Sequence, residues 1–123
     1  MAVNPALAER VRSAATDEAL RRGLDIREKH MFGGLAFMLN NKMACGVIAD
    51  ELMVRVGPDA YQAALSQPHA RPMDFTGRPM RGYVFVAADG CATQAAVDRW
   101  VARSATHIEE LTSMRKSSAK RDS

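Results

Sequence analysis

The thiol and imidazole side chains are few: Cys45, Cys91, His30, His69 and His107. The two cysteines stand far apart, the three histidines are isolated, and no spacing matches a zinc or redox motif. Cys45 lies between Ala44 and Gly46 inside an apolar run, where a thiol is inert. Two free thiols are expected, as in a reducing compartment. "FGGLAF" holds a glycine pair but neither a phosphate-loop lysine nor GxGxxG spacing, so Gly33-Gly34 reads as a bend or bulge. No serine sits in a nucleophile elbow. Asp74 is the one carboxylate within a distinctive stretch, "RPMDFTGRPMRGYVFV" (71–86). It stands among Arg71, Arg78 and Arg81, where an ion pair or turn hydrogen bond accounts for it. Without a second acid, a histidine or a metal motif, it forms no acid/base pair. The expectation is a protein that is not an enzyme, with no cofactor and no metal.

What remains is recognition chemistry. Arg55, Asp74, Arg78 and Arg81 are the candidate partner-binding residues. Residues 114–123, "MRKSSAKRDS", form a second basic feature. Of the chain's 17 Lys and Arg and 14 Asp and Glu, this segment holds four and one, so it carries the entire formal charge of +3. The folded body is neutral. A Ser/Lys/Arg-rich, apolar-poor end is expected to be a disordered solubilising tail, or to touch nucleic acid through phosphates. Arg78, Arg81, Tyr83 and Phe85 lack the aromatic-basic pattern of an RNA-recognition strand. The eight methionines include Met38, Met43, Met53 and Met80, in or beside strands, where they read as core or edge filler rather than a promiscuous groove.

Elements that position these residues follow from periodicity and turn chemistry. Asn4-Pro5 is an N-cap with proline at the first helical position, and Leu7, Val11, Ala14 and Ala15 then share one face up to a stop at Gly23. Loose alternation in "DIREKHMF", then "GLAFMLN", "KMACGVIAD" and "LMVRVG", predicts an antiparallel meander with turns at Asn40-Asn41 and Asp50-Glu51. "GPDAYQAALSQP" predicts a short helix. Pro72 and Pro79 remove two backbone donors, so the stretch from Arg71 up to Tyr83 is expected to be a shaped connection into the last strand rather than an ordinary paired strand. In it Met73 and Phe75 plug the core edge, Thr76-Gly77 turns, and Tyr83 to Val86 form the last strand. From Thr93 as N-cap, Val97, Trp100, Val101, Ser104, Ala105, Ile108 and Leu111 fall on one helical face. The order α-β-β-β-β-α-β-α gives an α+β fold with an antiparallel sheet flanked by helices, in one domain over 1–113.

The 123 residues, 47% apolar and 25% charged, suit one soluble domain. The N-terminus lacks the apolar core of a secretory signal, and no run is long enough to span a bilayer. A cytoplasmic location without membrane contact is expected.

"KHMFGGLAFMLNNKMACGV", "LMVRVGPDAY" and "ARPMDFTGRPMRGYVFV", in this order, resemble the N-terminal domain of the TfoX/Sxy competence regulators, over about Leu7 to Leu111. The resemblance implies a small α+β domain, no catalytic residues, and a regulatory role in bacterial transcription through a protein partner. Members with established roles regulate DNA-uptake genes and carry a second, C-terminal domain, which this chain is expected to lack. Direct nucleic-acid binding through the tail and Arg55, Arg78 and Arg81 is the alternative, as is a small-molecule site between sheet and helices. An open sheet face would also permit a homodimer.

Overall fold

The computed structural model describes residues 3–31, 33–74 and 79–122, with side chains up to Met73 and again from Arg81 to Thr112. Helix α1 (Pro5–Arg22) begins as its sequence demands. The Asn4 side-chain oxygen accepts the amides of Ala6 and Leu7, and Gly23 closes the helix in the left-handed region at φ 67°. Asn4 also ties the cap to the sheet: its amide donates to the Ala49 carbonyl and its side chain to Asp50. Ala49 holds φ 53°, so the third strand turns at Ala49-Asp50, one residue earlier than turn chemistry alone places it.

Four strands make the meander: β1 (Ile26–Met31), β2 (Gly34–Leu39), β3 (Lys42–Ile48) and β4 (Glu51–Arg55). Asn40 and Asn41 both take positive φ in the two-residue β2–β3 turn, the conformation that matches strand twist. After the short helix α2 (Tyr61–Leu65) come β5 (Ala70–Asp74) and β6 (Pro79–Val86). A 3-10 turn (Ala88–Cys91) then leads into α3 (Gln94–Asp122). The sheet order is β1-β2-β3-β4-β6-β5, antiparallel throughout.

The α+β class and the flanked antiparallel sheet are as expected, but the sheet has one strand more. Residues 70–74 are not a mere connection. They pair with β6, Ala70 opposite Val86 and Pro72 opposite Val84, with a register shift before Asp74 opposite Pro79. Proline is tolerated because β5 is an edge strand, whose free side needs no donors, and because Pro79 is the first residue of β6. Met73 is buried, as expected; Phe75 and the Thr76-Gly77 turn lie outside the described residues. Helix α3 continues to Asp122 along the segment whose composition suggests a tail, and side chains there are also outside the described set.

All three helices lie on one side of the sheet. Leu7, Val11, Ala15, Phe37, Leu39, Val47, Val54, Val86, Val101 and Ile108 meet there in the main core. Thr93 caps α3 by accepting the Ala96 amide. Ala44 is the extra residue of a bulge in β3, since Phe37 pairs with Cys45 and Met38 with Met43. Its carbonyl accepts Ser104 Oγ at 2.6 Å, inside the core. The bulge and the buried hydroxyl of Ser104 thus satisfy each other. Ser104→Ala is expected to cost about 2 kcal/mol, because it strips a buried carbonyl of its partner; urea unfolding monitored at Trp100 measures it, and an unchanged midpoint would mean water replaces the hydroxyl. Among the described residues Glu18 is the other buried polar side chain, at 4% exposure, and it accepts from Arg21 and from Arg22, whose guanidinium also reaches Glu109 on α3. This bridge pins the C-terminal end of α1 to the middle of α3.

Candidate functional site

The opposite face of the sheet carries no helix among the described residues. Strand alternation puts Met31 on β1, Ala36 and Met38 on β2, Met43, Gly46 and Ile48 on β3, Met53 and Arg55 on β4, Tyr83 and Phe85 on β6, and Met73 on β5 toward this side. Met53, Met73 and Phe85 form a second, small core there, with Met43, Ile48 and Tyr83 half-buried against it. Met31, Met43 and Met53 surround a shallow dimple floored by Ala36 and Gly46. The floor stays low because Gly46 has no room for a methyl group, whose carbon would lie 2.8 Å from the Leu35 carbonyl oxygen. Met53 and Met73 thus fill the packed base of this face and Met43 its edge.

Cations edge the apolar centre, and their bonding differs. Arg71 pairs with Glu51 through both nitrogens and lies over the Phe85 ring, 4.9 Å from its centroid. Its pKa is raised, chiefly by the hydrogen bond to Glu51. Arg55 stands opposite Tyr83 across β4 and β6 and lies 5.6 Å over its ring, with no carboxylate in ion-pair range among the described residues. Arg81 is exposed two residues before Tyr83 and has no such carboxylate either. Lys29 is exposed on β1, in register with Ala36.

Of the residues singled out by sequence, Arg55 and Arg81 share this face. Asp74 is placed by its backbone, opposite Pro79 at the far end of the β5–β6 pair, while its side chain and all of Arg78 are outside the described residues. Sequence reasoning missed Tyr83 as the ring beneath Arg55, and Glu51 as a partner of Arg71. The signal for the first was present: period-2 alternation already puts Arg81, Tyr83 and Phe85 on one side.

The reactive groups are withdrawn from solvent. Both cysteines are free and buried. Burial pushes the Cys45 thiol up to about 12 and raises that of Cys91 as well, so neither offers a thiolate near neutrality. Among the described residues no three His, Cys, Asp or Glu side chains converge as a metal would need, and no helix is long and apolar enough to cross a membrane.

The model of the TfoX N-terminal domain matches residues 18–108, which span every strand and the buried half of α3. The chain belongs to the TfoX N-terminal domain family. No curated protein and no solved structure matches it. The domain match covers the whole methionine face, so the surface described here is built from the family's own sheet.

Proposed function

We propose that this TfoX N-terminal domain is a non-enzymatic regulatory module that holds a protein partner on the helix-free face of its sheet, in the service of transcription. The observation that carries the reading is the composition of that face: methionines and two aromatic rings at the centre, with Lys29, Arg55 and Arg81 meeting no carboxylate among the described residues at the margin. Flexible thioethers adapt to an apolar surface, and arginine with tyrosine is a common anchor pair in interfaces. The margin's charge calls for a partner segment that is apolar in the middle and acidic at its flanks. Family membership supplies the regulatory context, and the buried, high-pKa thiols favour recognition over nucleophilic chemistry.

A photo-crosslinking phenylalanine analogue placed at Tyr83 tests this in living cells, with the same analogue at Leu20, 77% exposed on the remote side of α1, as the reference. The expected product is an adduct to a transcription protein from position 83 and not from position 20. It should disappear when Arg55→Glu and Arg81→Glu are combined. Identical adducts from both positions, or nucleic acid alone at position 83, would overturn the reading.

A further inference from the structure

On the other side of the molecule a cleft of about 310 Å³ opens between α3 and the turn that joins α2 to β5. Arg99, Trp100 and Arg103 form one wall; Gln67, Pro68 and His69 form the other; Asp89 and Gly90 of the 3-10 turn close one end. Its shape is fixed by backbone. His69 adopts φ 69° so that its carbonyl can accept the Ala87 amide, which extends the β5–β6 pairing and turns the imidazole outward over the cleft. Gly90 lets that turn close, since a methyl there would stand 2.7 Å from both His69 Cβ and Val86 Cγ1.

The charges in the cleft are unspent. Elsewhere Arg12, Arg21, Arg22, Arg27 and Arg71 each meet a carboxylate. Arg99 and Arg103 meet none among the described residues, although Asp89 lines the same cleft. Arg103 lies 5.2 Å over the Trp100 ring, and this stacking holds its guanidinium fork in place before any ligand arrives. Arg99 and Arg103 are one helical turn apart, so both forks reach the same side of the space. Two guanidiniums one turn apart, that of Arg103 held by its stacking on Trp100, suit the oxygens of a phosphate, and the separated Asp89 suits a hydroxyl donor on the same molecule.

We infer that this cleft binds a small hydroxylated phosphomonoester, with its phosphate on Arg99 and Arg103 and a hydroxyl donating to Asp89. The site lies across the domain from the methionine face and is independent of what that face binds. Titration of glycerol 3-phosphate into the full chain at constant ionic strength, followed by amide and Trp100 indole NMR shifts, is the test. Saturable shifts confined to Gln67–His69, Asp89–Gly90 and Arg99–Arg103 are expected. Arg99→Gln should weaken binding about tenfold, the loss of one charge-assisted hydrogen-bonded fork. Its side chain is exposed, so the fold is kept. Arg103→Lys should also weaken binding, because it keeps the charge but loses the stacked fork. Inorganic phosphate should bind more weakly than glycerol 3-phosphate in the parent chain, and that gap should close in Asp89→Asn. Shifts that do not saturate, that match those of sodium chloride, or that persist unchanged in Arg99→Gln would overturn the inference. Equal affinity for phosphate and its glycerol ester would overturn the role given to Asp89.

Discussion

Phe37→Ala is expected to lower unfolding stability by about 4 kcal/mol, the upper part of the range for deleting a buried aromatic ring. Phe37 is wholly buried at the centre of β2, opposite Glu28 and Cys45, with the Arg12 guanidinium 6.0 Å over its ring. The ring thus links the sheet to α1, and Arg12 is in turn held by Glu9 and Glu28. No neighbour can swing in to fill the space, because the flanking residues Leu35, Leu39 and Val47 are fixed by strand pairing. A domain of this size has only about 5–15 kcal/mol to lose, so the variant should be folded in the cold and substantially unfolded at physiological temperature. Phe37→Leu, which keeps most of the volume, should cost about 1.5 kcal/mol or less. Equilibrium urea unfolding with both variants decides: a Phe37→Ala loss no larger than that of Phe37→Leu would show that the site collapses around the smaller side chain.

Gly57→Ala should be nearly as damaging, by about 3 kcal/mol, for two separable reasons. Gly57 has φ 87°, a region in which an L-residue costs ~1–2 kcal/mol. A methyl there would also overlap the His107 ring, which lies directly on the Gly57 backbone, and such overpacking costs a further ~1–3 kcal/mol. The contact exists because the chain folds back tightly here. The Gly82 carbonyl accepts the amides of both Val56 and Gly57, and Gly82 is itself at φ 94° against Gly57. In the His107→Ala background the overlap vanishes and the backbone strain stays, so Gly57→Ala should cost only about half as much there. The double-mutant cycle reads that coupling directly. Additive losses would mean that the ring moves aside without cost.

The same histidine gives the domain a pH dependence of known sign. His107 lies beside a cleft lined by Val56, Pro58, Asp59, Glu110 and Leu111. Burial first, and Arg55 second, lower its pKa from the ordinary 6.5, against smaller opposing effects of Glu110 and Asp59. The folded state therefore disfavours the proton that the unfolded chain accepts. Stability should be full above pH 6.5 and decline as the pH falls from there through the lower, folded-state pKa. Glu28, whose pKa is lowered mainly by its hydrogen bond to Arg12, acts in the same direction at more acidic pH. Unfolding midpoints across mildly acidic pH should fall less in His107→Gln than in the parent chain; parallel declines would assign the effect to other groups.

Local chemistry determined much of this protein. Asn4-Pro5 and Gly23 bound α1, Asn40-Asn41 closes the β2–β3 hairpin, Thr93 caps α3, and the spacing from Val97 to Ile108 names the buried side of that helix. These are effects within a turn or a single helix face, where a residue's own φ preference or side-chain reach is decisive. Three quoted motifs likewise led to the TfoX N-terminal family, which residues 18–108 match. Pro72 shows where local reasoning stops: the missing donor forbids a central strand and is harmless at an edge, and only the packing of the whole sheet makes β5 an edge. The bulge at Ala44, met by a serine sixty residues away, had no local signature. Tertiary structure alone also put all three helices on one side, and so turned scattered methionines and arginines into one face. The same packing brought Arg99 and Arg103 to a cleft with His69 and Asp89, residues too distant in sequence for any spacing rule to join.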